Sequence, residues 1–493
     1  MNRTLFIPLI TTLFASCAAV GPNYSRPYAG EPSTFRFGSN KYGRSLGDLD
    51  WRSVFKDAAL RQLIDEALAN NLDLAAASAR VIQAQANLAA VRSRFLPTIG
   101  AGYNYSHSEV SRDISLSKFN SPSLFDTQSH SIGITLLDYE ADFWGKIRRA
   151  AESARAKLLA TEEGRRMVQV GLIAGIATAY VSLREQDHEL SIATRTREAR
   201  VKSLELLTQK QKAGQGPLTD VEQGQVLIAE ADVAIRTIEK QIALLENQLS
   251  TLAGRPPGSI RRGTAFSGTQ LVAHIPAGLP SDLLNRRPDI RASEQLLIAA
   301  TADIGVAQAQ LLPSFTLTTS VGLRSKELGD LFTNPTKLWQ IGPAVNVPIF
   351  TGGRLRAAIM GSKAARDEAE ADYRKTVLQS LREVSDALIS RQKSAGVHEA
   401  QSRVVTARQS ALGLIRQRYD NGVAAYLEVL YNDQQLFAAE ISQARAKLEE
   451  LLSTIDLYRA LGGGYDKASV PDFAKNPAPP PAKRRWLPWK SSE

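Results

Sequence analysis

Residues equipped for catalysis are scarce in this 493-residue chain. Its five histidines show no metal-ligand spacing, and no phosphate-binding loop is present. The run Gly462-Gly463-Gly464 is followed by no nucleotide fingerprint and reads as the end of a helix. The sequence offers instead a pair of carboxylates beside bulky side chains. On a helix Leu427 and Tyr431 share a face, Glu428 lies next to it, and Asp433 points nearly opposite. Asp220 sits in the register of Glu428 one repeat earlier, 208 residues away (428 − 220). Acids gathered in a confined space attract cations and select against anions. The same two acids would also offset the dipole at a helix N-terminus. A net charge of +10 invites a nucleic-acid reading. Five of the cations, however, lie at the end of the chain from Lys475 onward (Lys475, Lys483, Arg484, Arg485, Lys490). The others mostly alternate with acids, and no recognition motif accompanies them. The chain therefore reads as neither an enzyme nor a metal, cofactor or nucleic-acid binder.

One residue is placed for covalent modification. Arg3 gives a positive start, Leu5 to Phe14 an apolar core, and Ala15-Ser16-Cys17 a small-residue cleavage site. The pattern resembles a bacterial lipoprotein signal, with residues 1–16 removed and Cys17 acylated. Phe14 departs from the leucine such signals usually carry there. Cys17 is the sole cysteine, which leaves no disulfide within the chain. Ala18 follows it where lipoproteins kept at the inner membrane often have Asp, which points to the outer membrane. No later run of eighteen apolar residues suggests a spanning helix.

The elements that must position these residues come in two copies. Gly145-Lys146-Ile147-Arg148 answers to Gly353-Arg354-Leu355-Arg356 at a step of 208 (353 − 145), as Gly214 does to Gly422 and Gly254 to Gly462. Phe95-Leu96-Pro97-Thr98 answers to Leu311-Leu312-Pro313-Ser314. Such a repeat is the mark of a duplicated unit, here in the order helix, two strands, very long helix, shorter helix. The halves run from Asp57 to Gly254 and from Ser281, joined by a Gly/Pro-rich connector at 255–280.

Pro97 and Pro313 stop helices and start strands. Ile99, Ala101, Tyr103 and Tyr105 alternate with small or polar residues, as do Ile132, Ile134 and Leu136. In the second half Phe315, Leu317, Thr319, Val321 and Leu323 form one face. Trp339, Ile341, Pro343, Val345, Val347 and Ile349 form another. Period-two strands of about ten residues with a small opposite face suit a membrane barrel. Four strands cannot close one, and open edges are not tolerated in lipid, so several copies must share it. From Lys146 to about Gln209 only isolated glycines interrupt a helix that would span roughly 95 Å. Its counterpart runs from Arg354 to about Tyr419, with a heptad-like seam at Val377, Leu381, Val384 and Leu388.

Four segments carry a family resemblance. They are Val20-Gly21-Pro22-Asn23-Tyr24, the stretch Tyr139 to Arg148 (YEADFWGKIR), the stretch Gly278 to Ile290 (GLPSDLLNRRPDI), and Leu457 to Gly464 (LYRALGGG). In this order they resemble the TolC/OprM superfamily, in its NodT-like lipoprotein branch of outer-membrane factors for resistance-nodulation-division (RND) efflux pumps. The resemblance implies a mainly α homotrimer that shares a 12-stranded membrane β-barrel and a long periplasmic α-helical tunnel. It implies an efflux duct in the outer membrane of a Gram-negative cell, docked to a periplasmic adaptor and an inner-membrane RND pump. The layout becomes a signal at 1–16 and an anchor and equatorial segment at 17–56. Efflux repeats follow at 57–254 and 281–464 around the connector, with a Pro-rich basic tail at 465–493. The helix turns carrying Gly214, Gly216 and Pro217, and Asn421 and Gly422, would meet the adaptor. Leu427 carries over as a constriction in a periplasmic gate with Tyr431, Glu428 and Asp220; Tyr431 stands where relatives often have Asp. A sister branch serving ABC-driven (type I) protein secretion is the alternative function.

Overall fold

The computed structural model describes residues 19–30, 32–37, 45–109, 126–268 and 280–463. The signal segment, Cys17 and the tail from residue 464 lie outside them, as does most of the connector's second half. The described residues fall into two compact units. One takes those of 1–35, 72–168 and 279–383, the other those of 36–71, 169–278 and 384–493.

Helices α1 (Trp51–Val54), α2 (Ala58–Asn70) and α3 (Leu72–Arg92) lead to strands β1 (Thr98–Glu109) and β2 (Asp126–Ala141). Then come α4 (Lys146–Lys212) and α5 (Leu218–Leu252). The second copy opens with α6 (Pro280–Arg286) and α7 (Pro288–Ala309), continues through β3 (Ser314–Ser325), α8 (Asp330–Thr333) and β4 (Thr336–Asn346), and closes with α9 (Arg354–Asp420) and α10 (Tyr426–Ala460). The duplication preserves helix length. The first members of each pair, α4 and α9, have 67 residues, and α5 and α10 have 35. All four ends are displaced by the same 208 residues.

In the first unit the four strands form one antiparallel sheet in the order β1-β2-β3-β4. Alternation survives across it. Ala101, Ile134, Val321 and Trp339 stand in one cross-strand row, and Ile99, Leu136, Thr319 and Ile341 in another. The opposite face has rows Gly100, Thr135, Ser320, Gln340 and Gly102, Gly133, Gly322, Leu338. Between Leu136 and Tyr139 β2 takes one extra residue. This bulge keeps Tyr139 and Ala141 in line with Leu317 and Phe315, on the apolar face. A Cβ on Gly322 would come within 2.5 Å of the Ile132 carbonyl oxygen, and one on Gly133 within 2.8 Å of that of Val321. Only glycine admits so close a backbone approach.

One sequence expectation needs correction. Apolar alternation continues to Ile349, yet β4 ends at Asn346, whose partner Ser314 is the first residue of β3 after Pro313. Residues 347–350 belong to no strand of the sheet. Helix α4 has an 18-residue window apolar enough to cross a membrane, of which 67% is buried inside the protein. Its Ile173, Ile176 and Leu183 serve a protein core rather than lipid.

The segment after Ala19 is bolted down in the first unit. The N–H of Val20 donates to the Trp144 carbonyl at 3.0 Å, and buried Arg149 donates to Asn23 at 2.7 Å. Tyr24 and Arg26 both donate to the Glu294 carboxylate on α7, at 2.8 and 2.7 Å. In the second unit Trp51, Phe55, Leu249 and Tyr458 build the core, with Phe55 meeting Tyr458 edge to face at 6.0 Å.

Candidate functional site: the apolar sheet and the helix turns

Ile99, Tyr103, Tyr105, Ile134, Val321, Trp339, Ile341 and Val345 all belong to the apolar rows of the sheet, and all are exposed. An exposed apolar face of this breadth is an interaction surface, not a solvated one. Midway along β1 Tyr103 bonds His130 Nδ1 at 2.7 Å, and the Tyr105 ring lies 4.8 Å from the same imidazole. That gives an amphipathic aromatic group of the kind found at a bilayer boundary.

In the second unit the two long helices turn back at equivalent points. The N–H groups of Gly214 and Gln215 donate to the carbonyls of Gln211 and Lys210. Those of Gly422 and Val423 donate to Tyr419 and Arg418. Both turns are Schellman caps, with Gly214 at φ 72° and Gly422 at φ 73°, where a side chain would be strained. Gly216 and Pro217 complete the first turn before α5, and Asn421 sits beside Gly422 in the second.

Behind the turns Leu207, Val221, Leu227, Leu412, Tyr426, Val429 and Leu430 form a buried apolar cluster drawn from all four helices. The ring of Tyr419 lies 5.4 Å from that of Tyr426, with Lys210 Nζ 4.5 Å over it. Burial and the nearby Asp433 carboxylate push the Tyr426 phenol up to about 12. Asp433 accepts from Arg200 at 2.9 Å and Arg416 at 3.4 Å, with Arg200 only 5% exposed. Arg200 also donates to the Leu227 carbonyl at 2.8 Å and lies over the Phe437 ring. This network ties α4, α5, α9 and α10 together by one buried guanidinium and its shared carboxylate.

Of the gate candidates, Leu427, Glu428 and Tyr431 lie on the exposed side of α10 and Asp220 on α5. Leu427 is 63% exposed and Tyr431 56%. Glu428 is exposed and Asp220 half-buried, each in the first turn of its helix. Burial holds the Asp220 carboxyl above its ordinary value. Leu427, Tyr431 and Glu428 thus share an exposed stretch of α10, while Asp220 lies on α5. Among the described residues no group of His, Cys, Asp and Glu could hold a metal ion. Sequence reasoning missed Arg200, Arg416 and the inward role of Asp433. The available signal was the charge of Asp433 on the side of α10 away from Leu427.

A family model described as outer membrane efflux protein matches residues 63–255 and 279–463. A probable efflux pump outer membrane protein, SepC of Pseudomonas putida, is 34% identical over 487 residues, covering 96% of this chain and all of that protein. The toluene efflux pump outer membrane protein TtgF of the same species matches equally, at 34% over 487 residues. The open-state MtrE outer membrane channel of Neisseria gonorrhoeae superposes with a TM-score of 0.83 at 31% identity. That match covers 91% of this chain and 98% of the channel. Two matched repeats, relatives spanned end to end and a shared fold lead to one conclusion: this chain belongs to the outer membrane efflux protein family.

Proposed function

We propose that the chain is the outer-membrane exit duct of a tripartite, RND-type efflux system. It passively conducts small molecules handed over by an inner-membrane pump and a periplasmic adaptor. One observation carries this reading. The sheet exposes an apolar face across all four strands, while β1 and β4 each pair on one side only within the described residues. Such edges are stable in lipid only when other copies close them, and three copies give a 12-stranded barrel. The family supports transport rather than catalysis, and the names of the matched relatives support efflux of small molecules such as solvents.

Within the duct, Leu427 and Tyr431 narrow the periplasmic end as stacked rings. Asp220 and Glu428 favour cations there, and the turns at Gly214, Gly216, Pro217, Asn421 and Gly422 meet the adaptor. The Arg200–Asp433–Arg416 network holds the turn of α10 in its resting packing. Acylation of Cys17 fastens the segment that Arg149 and Glu294 clamp. Domain limits follow the sequence layout given above, from the signal at 1–16 to the tail at 465–493. The native mass in detergent tests the reading: an oligomer is expected, and pore activity from a single-chain particle would overturn it.

A further inference from the structure

Ile349 and Phe350 are 94% and 90% exposed, the highest values among the exposed large apolar side chains of the described residues. They do not sit on a strand. They follow the last ladder residue of β4, Asn346, and precede α9. At the opposite edge of the same sheet, just before β1, a second apolar pair stands out from the 3₁₀ turn Ser93–Phe95: Phe95, and Leu96 at 69% exposed. Each pair is flanked by a proline, Pro348 and Pro97, which takes no part in a ladder.

Topology says what lies against them. The strands alternate in direction across β1-β2-β3-β4, so β4 runs opposite to β1. A second copy therefore closes the sheet by setting its β1 antiparallel against this β4. Pairing the whole of the shorter edge strand, with the apolar rows kept on one face, places Asn346 opposite Thr98 of the next copy. The two ladders then end together, which sets residues 347–350 beside the 3₁₀ turn and proline at 94–97. Two exposed apolar pairs from two subunits meet where the backbone stops pairing.

We infer that Ile349 and Phe350 of one subunit dock on Phe95 and Leu96 of the next, forming an apolar clasp at the foot of every subunit junction. The inference rests on the proposed shared barrel and names the contact that seals its seams. Lipid is the competing occupant. The copy is favoured because the pair is continuous with an edge that must be paired, and because a matching pair waits at the other edge. Within one chain the two pairs belong to opposite edges of the sheet, so they cannot clasp each other.

Cysteine cross-linking in the full-length protein tests this. In outer-membrane fractions the double variant Phe95→Cys/Ile349→Cys, oxidised with copper phenanthroline, should give a trimer-sized band on non-reducing gels. Reductant should collapse it to single chains, and neither single variant should form it. A disulfide requires Cα atoms within about 7 Å, so the band reports direct apposition. A trimeric native mass without cross-linking, with the thiol of the Ile349→Cys variant labelled by a lipid-phase reagent, would assign the pair to lipid and overturn the clasp while leaving the duct intact. A single-chain native mass would overturn the shared barrel itself, and the clasp with it. As a second readout, Ile349→Asp/Phe350→Asp should dissociate into single chains at lower temperature with unchanged helix content. Dissociation at the wild-type temperature would also count against the clasp.

Discussion

Replacing Asp433 with alanine removes the carboxylate shared by Arg200 and Arg416. The two partners are unequal. Arg416 is 47% exposed in its side chain, so its bond contributes less than about 1 kcal/mol. Arg200 is 5% exposed and would keep only the Leu227 carbonyl and the Phe437 ring. Stranding a buried charge costs roughly 3–5 kcal/mol. If the turn of α10 can move so that water reaches Arg200, about 3 kcal/mol of that cost favours the open arrangement. That corresponds to a shift in the closed-to-open ratio on the order of a hundredfold. Single-channel recording should then show Asp433→Ala open far more often than wild type. The double variant Arg200→Met/Asp433→Leu, which replaces the pair with apolar side chains, should recover thermal stability. If Asp433→Ala melts earlier but opens no more often, the network is only scaffold and the gating argument fails.

Three further outcomes are expected. Glu185 and Glu189, buried one turn apart on α4, share Arg445 at 2.9 Å from Glu189; burial and then the neighbouring carboxylate push Glu185 up to about 8 from 4.5. A carboxyl raised on folding binds its proton more tightly in the native state, so stability should fall as pH rises from about 4.5 to about 8; Glu185→Gln should flatten that slope in thermal melts, and an unaltered slope would contradict the assignment. Labelled fatty acid should enter the wild type but not Cys17→Ser, and equal label in both would rule out acylation there. Leu427→Ala/Tyr431→Ala should raise conductance, whereas Asp220→Asn/Glu428→Gln should lower cation preference at nearly constant conductance; no change from either pair would place the constriction elsewhere.

Local signals made much of the fold legible. The 208-residue step recovers both ends of each long helix because duplication preserves length, and Gly214 and Gly422 mark their turns because only glycine is at ease at their φ. Alternation in β1 to β4 shows which side chains share a face, but pairing register depends on distant partners. The bulge between Leu136 and Tyr139, and the end of β4 short of Ile349, emerged only from the structure. The Arg200–Asp433–Arg416 network was invisible for a related reason. Its members lie on three helices, with Arg200 and Asp433 separated by 233 residues. A charged residue on a long helix reads as solvated until its packing is known. The burial of Glu185 and Glu189 on α4 is hidden from the sequence for the same reason. Helical periodicity puts Leu427 and Tyr431 on one face of α10, while their proposed gate role comes from the family resemblance.

The central claim is that copies of this chain enclose a water-filled passage through a bilayer. Recording ionic current from the purified full-length protein in planar lipid membranes tests it most directly. Discrete, cation-preferring conductance steps are expected, enlarged by Leu427→Ala/Tyr431→Ala. A correctly folded oligomer that inserts and passes no current, in wild type and in the widened variant alike, would contradict the account.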